Sequence, residues 1–112
     1  MDENQMEKNE KIEERKKDNK PIGRWGRLHQ EYLNKNKPEI YQNLILSNSI
    51  WNYLDEINNK AEKRMETLVD QISKELGISA SLKDKSKIEW VAKMRDVVII
   101  AEDIVLEEII YV

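Results

Sequence analysis

Residues 50–77 read IWNYLDEINNKAEKRMETLVDQISKELG, and this stretch decides the fold. Ile50, Leu54, Ile57, Ala61, Met65, Leu68, Ile72 and Leu76 recur every three or four positions, the spacing that lines one face of an α-helix. Trp51, Tyr53 and Val69 widen that stripe. A rise of about 1.5 Å per residue makes such a helix about 40 Å long. Gly77 supplies its C-terminal stop, because glycine adopts the left-handed backbone that closes a helix without strain.

Downstream, Ile78 to Lys85 is a connection with room for one helical turn. Ser86-Lys87-Ile88-Glu89 then has the form of a capping box, in which the serine accepts from a free amide and the glutamate reaches back. Ile88, Val91, Met94, Val98, Ala101, Ile104 or Val105, and Ile109 continue at helical spacing. The β-branched run Val97-Val98-Ile99-Ile100 invites a strand assignment, but both flanks are helical in period and neither carries a turn signal. Val97 and Ile100 give this last helix more apolar surface than one narrow stripe. Two long helices on a short connection lie antiparallel. The extra apolar surface is to be covered by the preceding short helices or by a second copy of the chain, as a homodimer.

Upstream, Ile22, Trp25, Leu28, His29, Tyr32 and Leu33 predict a first helix from about Gly23 to Asn34. Gly23 and Gly26 weaken it as an isolated helix, and one turn apart they permit close approach by another backbone. Asn34 to Lys37 breaks the pattern, and Pro38 suits the first position of a second helix, which carries Ile40, Tyr41, Leu44 and Ile45 and ends at Ser47-Asn48-Ser49. Residues 1–20 are a charged tail whose only apolar side chains are Met1, Met6 and Ile12. Such a segment buries too little surface to offset its ordering entropy, so disorder is expected there, or a frayed helix held only by local Glu/Lys pairs. The expectation is an all-α chain: a small helical bundle over 21–112, with two long antiparallel helices and two short N-terminal ones.

Composition excludes several function classes. The 112 residues contain no cysteine, so disulfides, thiolate metal sites and cysteine chemistry are absent. Charged residues make up 37% and hydrophobic residues 39%, a balance suited to helices with solvated outer faces. No apolar run is long enough to cross a bilayer, and the N-terminus has no secretory signal, so a cytoplasmic location is expected. The net charge of −3 lacks the basic excess of a general nucleic-acid binder.

Few residues are candidates for chemistry. His29 is the one histidine; it reads as a core-edge histidine in preference to a general base, since no nucleophile sits in a strained-turn motif beside it. No ligand spacing suits a metal and no glycine loop suits a phosphate, so neither metal nor cofactor is expected. The last helix is charged against its dipole: Lys83, Lys85, Lys87, Lys93 and Arg95 crowd its start, and Glu102, Asp103, Glu107 and Glu108 its end. Pairing across the hairpin is the plain explanation. It would set Lys87 and Lys93 against Asp70 and Glu75, and Glu102 and Asp103 against Lys60, Lys63 and Arg64. The functional explanation makes the acidic end, with Trp51 and Trp90, a protein-binding surface, because tryptophan is enriched at interface centres. It makes Arg24 and Arg27, with the five basic residues above, a nucleic-acid contact.

Five segments together resemble one family. Ile22-Gly23-Arg24-Trp25-Gly26-Arg27-Leu28-His29, Tyr32-Leu33, Tyr41-Gln42-Asn43-Leu44, Glu89-Trp90-Val91 and Glu107-Glu108-Ile109-Ile110-Tyr111-Val112 look like the TnpV family of small proteins. Its members are encoded on transposons and other mobile elements of Gram-positive bacteria. The resemblance runs from about Pro21 to the C-terminus, and the charged tail departs from it. It implies a mobile-element setting and supplies no catalytic residues. The expected role is therefore a non-enzymatic accessory protein acting by protein–protein interaction. Its partner would be the element's own transfer machinery or a host defence nuclease that it inhibits, in the manner of an anti-CRISPR protein. The alternative is a nucleic-acid-binding accessory factor in transposition.

Overall fold

The structure, a computed structural model, describes residues 22–112; the charged tail lies outside them. Every regular element among the described residues is helical. The order is α1 (Arg24–Asn36), α2 (Pro38–Leu46), α3 (Ile50–Glu75), α4 (Ala80–Lys85) and α5 (Lys87–Val105), continued by a π-helical turn (Leu106–Ile110). Two compact units divide after Asn59, within α3.

In the first unit, α1 begins without a side-chain cap. Gly23 is its N-cap residue and has no side chain to accept from the free amides of the first turn. Asn58 of α3 supplies the acceptor: its Oδ1 takes the Gly26 N–H at 3.1 Å, in a buried position. The two glycines make this approach feasible. A Cβ on Gly26 would lie 3.1 Å from the Leu54 carbonyl oxygen and would overlap Ile22, and one on Gly23 would overlap the Asn58 amide. The glycine pair thus does what its spacing suggested.

α1 runs two residues past the expected Asn34. The interruption falls on Lys37, whose backbone at φ −137° and ψ 60° has left the α region that a following proline disfavours, and whose N–H closes on the Leu33 carbonyl at 2.8 Å. Pro38 then opens α2. That helix ends in a Schellman motif, with Asn48 at φ 62° and the Ser49 and Asn48 amides donating to Leu44 and Ile45 at 2.9 and 3.1 Å. Ile22, Ile50 and Leu54 form the buried cluster of this unit, with Tyr41, Leu44, Ile45, Trp51 and Tyr53 packed on it. His29 is buried as well, and its Nε2 shares a 2.8 Å hydrogen bond with the Tyr53 hydroxyl. Gln30 donates to the Tyr41 hydroxyl at 3.2 Å and ties α1 to α2.

The second unit begins within α3. Gly77, at φ 69°, terminates the helix in another Schellman motif: Ile78 N–H donates to Ser73 at 2.9 Å and Gly77 N–H to Lys74 at 3.1 Å. The connection does contain a helical element, α4. Its end changes the capping box. Ser86 Oγ accepts the Glu89 amide at 3.4 Å as expected, but the Ser86 N–H is already bonded to Leu82 at 2.8 Å as the last turn of α4. The returning half of the box therefore does not form, and the Glu89 carboxylate sits 3.5 Å from Lys93 instead.

Arg64 and Glu108 fix the sense of the hairpin. Arg64 Nε and Nη2 donate to the two carboxylate oxygens at 2.9 and 3.2 Å, a bidentate bridge at the end away from Gly77. The helices are antiparallel, as read from the sequence, but the charge partners differ. Arg64 meets Glu108 where Glu102 and Asp103 were expected. Asp70 pairs with Lys74 at 3.0 Å, and Lys93 with Glu89, each on its own helix. Pairs at i, i+4 need no particular hairpin register, which is why they form locally in preference to the cross-helix pairs. The β-branched run lies inside α5: Val97 is buried, whereas Ile99 and Ile100 face solvent.

Two outcomes test these ties. Asn58→Ala leaves the Gly26 amide without its acceptor and should cost about 1–3 kcal/mol of stability in urea unfolding, the usual penalty for an orphaned buried donor. An unchanged midpoint would show that the cap carries no weight. Hydrogen bonds from Arg64 hold the Glu108 carboxyl below its ordinary range. The bridge therefore contributes above that range and is lost as pH falls through the lowered value. Glu108→Gln should be less stable than the parent at neutral pH, and the difference should close in acid. A gap that persists at low pH would assign the effect to packing.

Candidate functional site

His29, the residue best suited to acid–base work, is placed for structure. A general base must reach a proton of its substrate. This ring is buried, stacks on Tyr32 with centroids 6.1 Å apart, lies tilted against Tyr53 at 5.5 Å, and already has Nε2 in a hydrogen bond. Burial pushes the Tyr53 hydroxyl above its usual value, which keeps the phenol neutral beside the imidazole. Among the described residues no group of three or more His, Asp or Glu side chains converges as a metal site. No described helix is long and apolar enough to cross a membrane.

The acidic candidates are dispersed. Glu108 is held by Arg64, Glu102 is half-buried, and Asp103 and Glu107 are exposed. Of the tryptophans, Trp51 is half-buried on the core cluster of the first unit. Trp90 is half-buried on α5 with the Lys83 ammonium 4.7 Å above its ring, a cation–π contact that holds α4 to α5.

The basic candidates divide in the same way. Arg24 and Arg27 belong to the first unit; Arg24 lies 4.8 Å over the ring of Trp25. Lys83 is engaged by Trp90 and Lys93 by Glu89. Lys85, Lys87 and Arg95 are exposed and make no hydrogen bond or ion pair among the described residues. The structure therefore leaves three free cations around the start of α5 where the sequence suggested five.

The feature sequence reading passed over lies on the same helix. Val97, Ala101 and Val105 form the buried face of α5. Ile88, Val91, Ala92, Arg95 and Ile99 fall at i, i+3, i+4, i+7 and i+11, a second stripe about half a turn away. All five are exposed, Ile88 at 86%, Ile99 at 51% and Val91 at 41%. A shallow groove along this stripe is lined by Lys87, Ile88, Val91, Ala92 and Arg95. Of the other exposed large apolar side chains among the described residues, Leu46 and Leu76 stand at helix ends, Ile40 lies on α2, Ile100 adjoins Ile99, and Tyr111 and Val112 follow the last turn. The signal was present as surplus apolar surface on the last helix. What the sequence did not show was which of its two faces would be buried.

Comparison with known proteins adds a family. No curated protein and no solved structure matches the chain. A family model described as transposon-encoded protein TnpV matches residues 4–110, so the match takes in most of the charged leader that the sequence resemblance had left outside. With the helical architecture and the shared segments now in place, the chain belongs to the TnpV family of transposon-encoded proteins.

Proposed function

We propose that this TnpV-family chain is a non-enzymatic accessory protein of its mobile element and acts by binding another protein. One observation carries the reading: α5 is apolar on two faces, and the face bearing Ile88, Val91 and Ile99 is left to solvent. Contiguous exposed apolar side chains rimmed by charge mark interaction sites far more often than isolated ones do. Two partner classes suit a transposon-encoded protein, the element's own transfer machinery and a host defence nuclease that such binding would inhibit.

A nucleic-acid-binding accessory factor is the second reading, favoured by the free cations Lys85, Lys87 and Arg95. It has less support. Phosphate contacts have no use for the apolar side chains between these cations.

Affinity capture from a host carrying the element, with and without nuclease, separates the two. The protein-binding reading expects a partner that survives nuclease and is lost with the double variant Ile88→Ser, Val91→Ser. Both positions are exposed, so that variant should keep the parent's helical circular dichroism. A partner released by nuclease, and by Lys85→Glu with Lys87→Glu, would establish the nucleic-acid reading instead.

A further inference from the structure

The groove on α5 is specific about charge. Lys87 and Arg95 sit at its two ends, about 12 Å apart along the helix, with Ile88, Val91 and Ala92 between them. No acidic side chain lines it, and neither cation has a partner among the described residues. Glu89, Asp96 and Asp103 follow one another at seven-residue spacing and form a separate row along one edge of the apolar stripe.

A second copy of the chain does not fit this pattern. In a parallel pair of α5 helices, Arg95 lies within the contact and would face its own equivalent. In an antiparallel pair, facing helices bring like edges together, so the acidic row would meet itself. Both arrangements set like charges against each other, which disfavours pairing. A helix that sets its carboxylates on Lys87 and Arg95, and none along the acidic row, meets neither obstacle. Helix-in-groove recognition needs only a short series of apolar anchors at i, i+3, i+4 and i+7 spacing.

We infer that this groove, with Ile99 one turn beyond its Arg95 end, receives an acidic amphipathic helix of a protein partner, its apolar anchors on Ile88, Val91 and Ile99 and its carboxylates on Lys87 and Arg95. The inference rests on the protein-binding reading and narrows it to one surface and one partner chemistry. The chain's own net charge of −3 makes the prediction sharp, because non-specific attraction would favour a basic peptide.

The test uses the full chain and two labelled synthetic helical peptides. Both carry the same leucine face; along one flank of that face one peptide carries glutamates and the other lysines. Fluorescence anisotropy should show the glutamate peptide binding about tenfold tighter, the equivalent of about 1.4 kcal/mol, with the margin shrinking in high salt. Lys87→Glu with Arg95→Glu should reverse the preference, and Ile88→Ser should weaken both peptides. Lys35→Glu, an exposed change on α1, should leave the ranking intact. Equal binding of the two peptides, or a preference that survives the double reversal, would overturn the assignment. So would a dimer in sedimentation that Ile88→Ser dissolves, since a second copy would then occupy the face. Failure here is distinguishable from failure of the protein-binding reading. A captured partner that photo-crosslinks from position 107 and not from position 99 would remove the groove and leave that reading standing.

Discussion

The hydrogen bond between Asn58 and the Gly26 amide is the constraint on which the first unit depends. α1 carries glycine at its N-cap and a second glycine within its first turn, so it starts with its amides uncapped and its backbone loosely held. Each glycine inside a helix costs about 1 kcal/mol relative to alanine. In exchange, α3 approaches closely enough for its own side chain to complete the first turn of α1. The helix and its docking are therefore one event. The His29–Tyr53 hydrogen bond, three residues further along α1, repeats the arrangement with larger side chains.

Elsewhere the helix lengths are set by local chemistry. Two Schellman turns, at Asn48 and Gly77, and the residue before Pro38 end α2, α3 and α1 without help from distant groups. In the second unit, the Arg64–Glu108 bridge acts at the opposite end of the hairpin from Gly77. It answers the oddity of α5, whose cations stand at the positive end of its dipole and whose carboxylates stand at the negative end. Lys93 finds Glu89 one turn earlier, Lys83 finds the Trp90 ring and Glu108 finds Arg64. Three of the misplaced charges are thus compensated inside the unit.

These particulars explain what could be read from the chain alone. Periodicity over 50–76 and 88–109 located the long helices because their buried faces repeat with the helical period. Pro38, Asn48 and Gly77 marked ends because their backbone preferences are intrinsic to the residue. Gly23 and Gly26 announced a close approach, though nothing in the sequence named Asn58 as the group that would fill it. Charge partners were the least legible. Asp70 and Lys93 each had a partner one turn away, Lys74 and Glu89, and the local pair formed in preference to the expected one across the hairpin. The same ambiguity hid the site: a helix apolar on both faces does not say from its own sequence which face the fold will cover.

What the exposed face of α5 can do follows from magnitudes. Full burial of an isoleucine or valine side chain gains about 1.5–3 kcal/mol, so seating Ile88, Val91 and Ile99 offers a partner several kcal/mol at most. Association itself costs an estimated 4–15 kcal/mol in lost freedom. The apolar stripe alone therefore supports weak attachment to many surfaces and firm attachment to none. Discrimination has to come from the two cations, because a groove that desolvates Arg95 penalises any occupant without a carboxylate to meet it. On the proposed reading, Lys87 and Arg95 are accordingly the residues that would separate a recognition surface from a merely sticky one.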